Sequence, residues 1–503
     1  MALLDLVSLA GCAWLLIRRL GGVTCPAEHL ALAVLGAMLL KAMEVFLLLG
    51  AGAGLTPSLQ AVLSVGALAA ASSLLMATGR TVAYAEPPPF RRASPRFLWQ
   101  ISIAVTILFG LSMTAAMTFP ITAPDGIWYQ IRAWDMLHGE SLEAPHVLAS
   151  YAQYPPLVPF LLAWLQACGC AAPKVIFPVA YLCLVLVVFG RVRDLSGSEP
   201  LAGLCALLLA STPYFWWHST LGLLNLIGGV FFAVGGLYWY SLVRAMGAGP
   251  EPSPPLWTWA VLSGVGFGAA AWTRPEFILY TGVGLVLLMA VRTRWAVPAA
   301  SAKKVIWGFF LPALGLPTLW NAVLLFGDNP LGREVQGVML VTLLWWGSLV
   351  LYLRGYFKAR PGDLLGLVLA AAAAAVALVF AAPESPLSPF QAMGMGLYRT
   401  LAFHVFFFAT AGLGVFAVTL RWKHLPFPER ALGLFLGLYL GLHAAFYMVL
   451  PQWSPGAVQF FDTPFIYPGD AVNSPDTREY LAWYPLFICW VACLPKVRRA
   501  FDA

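Results

Sequence analysis

Gly222-Leu-Leu-Asn-Leu-Ile-Gly-Gly-Val-Phe-Phe-Ala-Val-Gly-Gly-Leu-Tyr-Trp-Tyr-Ser-Leu-Val243 is an apolar run without a single charged residue. Wound as a helix at ~1.5 Å per residue it reaches roughly 33 Å, enough for the ~30 Å hydrocarbon core of a bilayer. It lacks the apolar–polar alternation of a barrel strand, so it reads as a transmembrane helix. Comparable runs lie near 2–17, 29–50, 57–78, 98–119, 174–190, 199–213, 256–272, 276–291, 305–326, 336–353, 363–381, 398–420, 431–450 and 482–495. The 503 residues are 60% hydrophobic and 10% charged, with mean hydropathy +0.80. Soluble domains carry about 25% charged residues. The spacing therefore predicts an all-α, polytopic bundle of about 13–15 spans with juxtamembrane helices on its outer side. Met1–Ile17 lacks a basic start and runs into Arg18-Arg19, so it reads as a span or anchor and not as a cleaved signal.

The loops alternate in charge. One set carries Arg18/Arg19, Arg91/Arg92/Arg96, Arg191/Arg193, Arg244, Lys303/Lys304, Arg354, Lys423/Arg430 and Lys496/Arg498/Arg499. By the positive-inside rule these are cytoplasmic. The net charge of +7 is thus a membrane signature, and no nucleic-acid partner is implied. The other set (120–173, 214–221, 273–275, 327–335, 382–397 and 451–481) is poor in Lys and Arg and holds many acids, among them Asp125, Asp135, Asp328, Glu384, Asp462 and Asp476. These loops are expected outside. Pro155–Gly169 is apolar but reaches only roughly 22 Å, and counting it as a span would invert every later loop. It reads as a juxtamembrane or re-entrant helix started by Pro155-Pro156, lying at the outer surface and walling an external cavity.

The eight cysteines lie mostly within or beside apolar runs and lack metal spacing; Cys168-Gly-Cys170 is too tight for an easy disulfide. Lys41 and Glu44, at i and i+3 inside the second run, read as a mutually paired couple. His404 and His443 read as satisfied core groups, and Trp216-Trp217-His218 as part of an interfacial belt.

Chemistry concentrates in the first long external loop. In Ala123-Pro-Asp-Gly-Ile-Trp-Tyr-Gln-Ile-Arg132, the residues Asp125, Trp128, Tyr129 and Arg132 fall at i, i+3, i+4 and i+7, one face of a helix. Asp125 can serve as general base toward a hydroxyl; an Asp ahead of a helical run is also an ordinary N-cap. External cations are few: Arg132, Lys174, Arg274, Arg333, Arg399 and Arg478. An enzyme facing outward has no cytosolic nucleotide-sugar, so a lipid-linked phosphate donor is the natural substrate, and its leaving phosphate needs a fixed cation. Arg274 in Trp272-Thr-Arg-Pro-Glu276 and Arg478 in Asp476-Thr-Arg-Glu-Tyr480 stand at the membrane border; each also fits a snorkelling or ion-paired Arg.

An external Asp-x-x-x-Tyr helix followed by Tyr154-Pro-Pro-Leu157 resembles the first external loop of the GT-C superfamily of integral membrane glycosyltransferases, of the family 39/83 type that includes protein mannosyltransferases and lipid A aminoarabinose transferases. Leu195–Tyr240 with its Ser211-Thr-Pro turn, and Arg478-Glu-Tyr-Leu-Ala-Trp-Tyr-Pro485, resemble later landmarks. The likeness covers about residues 98–495 in layout. It divides the chain into N-terminal helices 1–97, a GT-C-like catalytic region 98–495 including loop 120–173, and a basic tail 496–503. The resemblance implies inverting transfer of a sugar from a polyprenyl-phosphate donor to an external hydroxyl of a glycan, lipid or protein, in a bacterial inner membrane with the site facing the periplasm. It implies Asp125 as base, Tyr154 and Pro155 shaping the donor groove, and Arg274 with Arg478 on the phosphate. Trp128, Tyr129, Arg132, Asn225 and Tyr480 complete the expected substrate-binding set. Two positions depart from the pattern. The family often has Asp-Glu where this chain has Asp125-Gly126, and a second external Asp where it has Asn225. An Asn supplies no second charge, which argues against a carboxylate-bound metal, and no cofactor is expected. Two other classes remain open: a secondary transporter or lipid flippase, and a non-catalytic scaffold subunit with the same fold.

Overall fold

The computed structural model describes residues 1–78, 90–121, 124–139, 142, 144–246, 256–292, 299–327, 331, 333–354, 422–449 and 480–502. Every apolar run within them is helical. In order these are α1 (Ala2–Leu20), α2 (Pro26–Gly50), α3 (Pro57–Thr78), α4 (Pro95–Thr118), α5 (Pro124–Gly139), α6 (Ala149–Ala152), α7 (Leu157–Ala167), α8 (Ile176–Ser196), α9 (Glu199–Ala210) and α10 (Pro213–Leu221). They continue as α11 (Leu224–Met246), α12 (Leu256–Ala271), α13 (Phe277–Arg292), α14 (Ala299–Phe326), α15 (Arg333–Leu353), α16 (Phe427–Val449), α17 (Tyr480–Cys493) and α18 (Pro495–Asp502). Proline recurs at first helical positions (Pro26, Pro95, Pro213), where its missing N–H has no role to lose.

Seven of these helices are long and apolar enough to cross a membrane, and five more apolar helices, α7, α9, α12, α13 and α17, are shorter. That content is compatible with an integral membrane protein. The runs near 363–381 and 398–420, with Glu384, Arg399 and His404, lie outside the described residues.

α11 sits at the centre, with Leu224–Val243 buried throughout. It packs on α12, and α12 on α14, through glycines that admit bare backbone. A Cβ on Gly264 or Gly268 would strike the carbonyls of Phe309 and Pro312, and one on Gly235 would come within 2.8 Å of the Phe267 nitrogen. Small residues let apolar helices approach closely where no water-driven force favours the contact.

The basic loops gather at one end of the bundle. Arg191 grips Glu28 through both Nε and Nη2, the latter at 2.9 Å, with both side chains buried. Arg193 donates to Asp194 at 2.8 Å and to Thr24 at 2.9 Å. Arg498 donates to the Ser196 carbonyl at 3.0 Å, and Arg244 to that of Leu195. At the far ends of α8 and α11, two loops from the acid-rich set meet on Lys174, whose Nζ donates to the carbonyls of Pro120 at 3.2 Å and Thr220 at 3.0 Å.

The apolar run at Pro155–Gly169 holds α7, preceded by Pro156, and it is enclosed by protein: Leu157 to Leu165 are all buried, against α5 and α2. Its run is apolar on every face, so it has no polar side to turn to water. The N-terminal helices also join the same packing, since α2 lies on α7 and α8. There the Lys41–Glu44 couple (2.8 Å) gains Asp5 at 3.4 Å, with Ser64 at 3.0 Å from Lys41 and the Trp164 indole donating to Asp5 at 3.0 Å.

Two outcomes follow from this packing. Gly268→Val forces a side chain onto a carbonyl and should destabilise by about 1–3 kcal/mol or more, whereas Gly66→Ala, which meets nothing within 4 Å, should leave the detergent melting midpoint unchanged. Glu28→Gln removes one of the two carboxylates that meet the buried Arg191, leaving Asp194 at 2.7 Å, and should cost about 1.5–3 kcal/mol. Thermal unfolding of the purified variants measures both.

Candidate functional site

The loop that joins α5 to α8 folds back into the bundle, and the face predicted on α5 meets it. The helix starts at Pro124, so Asp125 lies within its first turn and is not the residue that caps it. There its carboxylate Oδ1 accepts from the Tyr151 hydroxyl at 2.6 Å. Tyr151 is the hub of an aromatic shell. Trp128 stacks on it at 5.8 Å between ring centroids, Tyr129 meets it edge-on at 5.7 Å, and Tyr154 stacks at 6.4 Å. Burial pushes the Tyr129 phenol well above its ordinary value, helped by Tyr154 and Asp125, while Arg274 acts the other way. Asp125, Tyr151, Tyr154 and Arg274 therefore all lie within electrostatic reach of Tyr129.

Arg132, one helical face further along, is fully buried. Its Nη1 donates to the carbonyls of Tyr151 at 3.0 Å and Tyr154 at 2.7 Å, and its guanidinium lies over the Trp320 ring at 5.2 Å. Burial lowers its pKa to about 9, which leaves it a cation at neutral pH. Arg274 forms an ion pair with Glu276, so its charge is already met inside the turn between α12 and α13. A cleft of about 10 Å³, room for one water, is lined by Gln153, Pro155, Ala271, Pro275, Ile278, Pro317, Trp320, Asn321, Leu324, Val335 and Val338. Trp320 is common to both: its ring supports Arg132, and its Nε1 donates to the Gln153 carbonyl at 3.0 Å.

Gly126 has a steric reason. A Cβ there would come within 2.7 Å of the Ile121 side chain and 3.3 Å of the carbonyl oxygens of Leu221 and Gly222. α5 thus packs by bare backbone on the turn that leads into α11, a turn made at Gly222 with φ +77. Asn225, in the first turn of α11, is buried, and its Nδ2 has no hydrogen-bond partner among the described residues. Arg478 and the side chain of Tyr480 lie outside the described residues.

Sequence reasoning singled out Asp125, Trp128, Tyr129, Arg132, Tyr154, Pro155 and Arg274, which the fold gathers around one loop. It missed Tyr151, Gln153 and Trp320. Tyr151 lies 26 residues from its partner Asp125, beyond any local periodicity; the run of aromatic residues in Tyr151-Ala-Gln-Tyr154 was the available signal. It also missed Asp135–His146, in which the buried Asp135 accepts from the ring Nδ1 at 2.7 Å and from the backbone N–H at 3.0 Å, tying down the loop after α5. Among the described residues no three His, Cys, Asp or Glu side chains converge as a metal site would require. No protein-family model, curated protein or solved structure matches the chain.

Restoring an acid after Asp125 should fail for the steric reason above. Gly126→Glu is expected to lower the melting midpoint, with a cost of about 1–3 kcal/mol, and Gly126→Ala to do so by less. A variant as stable as the parent would remove the close-packing account of this position.

Proposed function

We propose that the chain is a membrane glycosyltransferase that moves a sugar from a polyprenyl-phosphate-linked donor to an acceptor hydroxyl on the external, periplasmic face, with inversion. The observation that carries this reading is the carboxylate of Asp125, fixed by the Tyr151 hydroxyl at 2.6 Å inside an aromatic shell whose Tyr129 senses both Arg132 and Arg274. In the proposed step Asp125 takes the proton of the acceptor hydroxyl as that oxygen bonds to the anomeric carbon. The bond from that carbon to the phosphate oxygen breaks on the opposite side, and polyprenyl phosphate leaves with the electron pair. A hydrogen bond from Tyr151 to the ionised acid, worth about 1.5–3 kcal/mol, holds the base charged and aimed. Trp128, Tyr129, Tyr154 and Pro155 supply rings against which a sugar and an isoprenoid chain pack. The acceptor class, glycan, lipid or protein, is left to the assay.

The transporter reading keeps one observation of its own: Asp5, Lys41 and Glu44 share a buried cluster inside apolar helices, as ion-coupled carriers do. A single set of variants separates the two. With purified protein in nanodiscs and a radiolabelled polyprenyl-phosphate sugar pool, Asp125→Asn should reduce sugar release or transfer by about 100- to 10,000-fold, and Tyr151→Phe by about tenfold. Both should keep the parent's melting midpoint within a few degrees. Transfer that survives Asp125→Asn, or flux of intact donor across vesicles that depends on Lys41 instead, would overturn the enzyme reading.

A further inference from the structure

Of the three described cations at the acid-rich end of the bundle, two are occupied. Arg274 pairs with Glu276, and Lys174 is held by the carbonyls of Pro120 and Thr220. Arg132 differs. Only Nη1 is satisfied, while Nε and Nη2 have no hydrogen-bond partner among the described residues, and the residue is 0% exposed. No carboxylate among the described residues lies within ion-pair distance of it. The carbonyl clamp alone does not explain a charge, because a neutral donor suffices: Trp320 holds the neighbouring Gln153 carbonyl with an indole N–H. A buried guanidinium is costly unless an anion meets it.

The bare edge of Arg132 has a working counterpart in the same molecule. Arg191 uses its own Nε and Nη2 to grip the two oxygens of Glu28. That edge fits a carboxylate or phosphate side-on. Trp320, whose ring lies under Arg132, also lines the cleft, whose walls include Pro155, Pro275, Ile278, Leu324, Val335 and Val338. These side chains are apolar, Gln153 and Asn321 add two polar groups, and α14 and α15, which supply part of the wall, bury only 33% and 17% of their apolar windows. A bare anion-binding edge and a mostly apolar cleft that share one indole suit an amphiphile with an oxyanion head.

We propose that Arg132, and not Arg274, is the oxyanion receptor of this site, that it takes the head group of a membrane amphiphile on Nε and Nη2, and that Trp320 is the wall which must move to admit it. This deepens the glycosyltransferase reading and rests on it for the identity of the amphiphile as donor or product. The charge on the receptor persists through the neutral range, since burial leaves Arg132 protonated there.

Binding can be read without turnover. The full chain in nanodiscs is titrated with radiolabelled polyprenyl phosphate, with the uncharged polyprenol, and with inorganic phosphate. Polyprenyl phosphate should bind the parent at least tenfold more tightly than either control. Arg132→Gln should weaken it at least tenfold, Arg132→Lys by an intermediate factor because an ammonium lacks the two-pronged edge, and Arg274→Gln by less than threefold. Equal binding by Arg132→Gln and the parent overturns the proposal, as does an Arg274→Gln loss larger than that of Arg132→Gln. Inorganic phosphate binding as tightly as the lipid overturns the membrane source of the head group. If Arg132→Gln does not fold, Arg132→Lys and Trp320→Phe carry the test, and parent-like affinity in both overturns it. Binding that depends on Arg132 with no sugar transfer would sink the catalytic role of Asp125 and leave the receptor standing. Undiminished transfer by Arg132→Gln would do the reverse.

Discussion

Irregular backbone enclosed in an apolar bundle must have its carbonyls and amides satisfied from within, since neither lipid nor packed side chains can do it. The segment between α5 and α8 meets this requirement with side chains. Arg132 takes the carbonyls of Tyr151 and Tyr154, Trp320 that of Gln153, and Lys174 those of Pro120 and Thr220. The Leu157 amide finds the Trp272 carbonyl at 3.3 Å. These contacts tie α5 to α14, to the turn after α12 and to α10, so the candidate site and the fold are held by the same bonds. Asp125 and Tyr151 face each other because Arg132 fixes both ends of the loop that carries Tyr151.

The sequence was most informative where its pattern is local. The charge-free run at 222–243 became α11, and the i, i+3, i+4, i+7 face of Asp125, Trp128, Tyr129 and Arg132 does turn inward toward one loop. It was least informative where a contact joins distant segments. Nothing local pairs Asp125 with Tyr151, Arg132 with Trp320, or Glu28 with Arg191, whose partners stand 163 residues apart. Length left one case open. Pro155–Gly169 is too short to span, which allowed a juxtamembrane or a re-entrant helix, and this run with no polar face is enclosed by protein from Leu157 to Leu165.

The first three helices, which lie outside the resemblance, pack into the same bundle: α2 lies on α7 and α8, and its Glu28 accepts from both Arg191 and the Tyr238 hydroxyl of α11. Trp164 of α7 donates to Asp5 of α1. The helix that begins at the edge of the site therefore ends against the N-terminal helices, and removing those helices would uncover charges that the bundle now keeps paired.

The two positions that depart from the resembled pattern, 126 and 225, are both tightly enclosed. A Cβ on Gly126 would lie 3.3 Å from the carbonyl oxygens of Leu221 and Gly222, and the turn at those residues leads into the helix that carries the buried Asn225. An ionised acid at 126 would be pressed against two carbonyl oxygens, and one at 225 would be buried; each is costly unless a cation meets it. Close packing therefore accounts for a glycine and a neutral amide at these positions without recourse to the chemistry of the site.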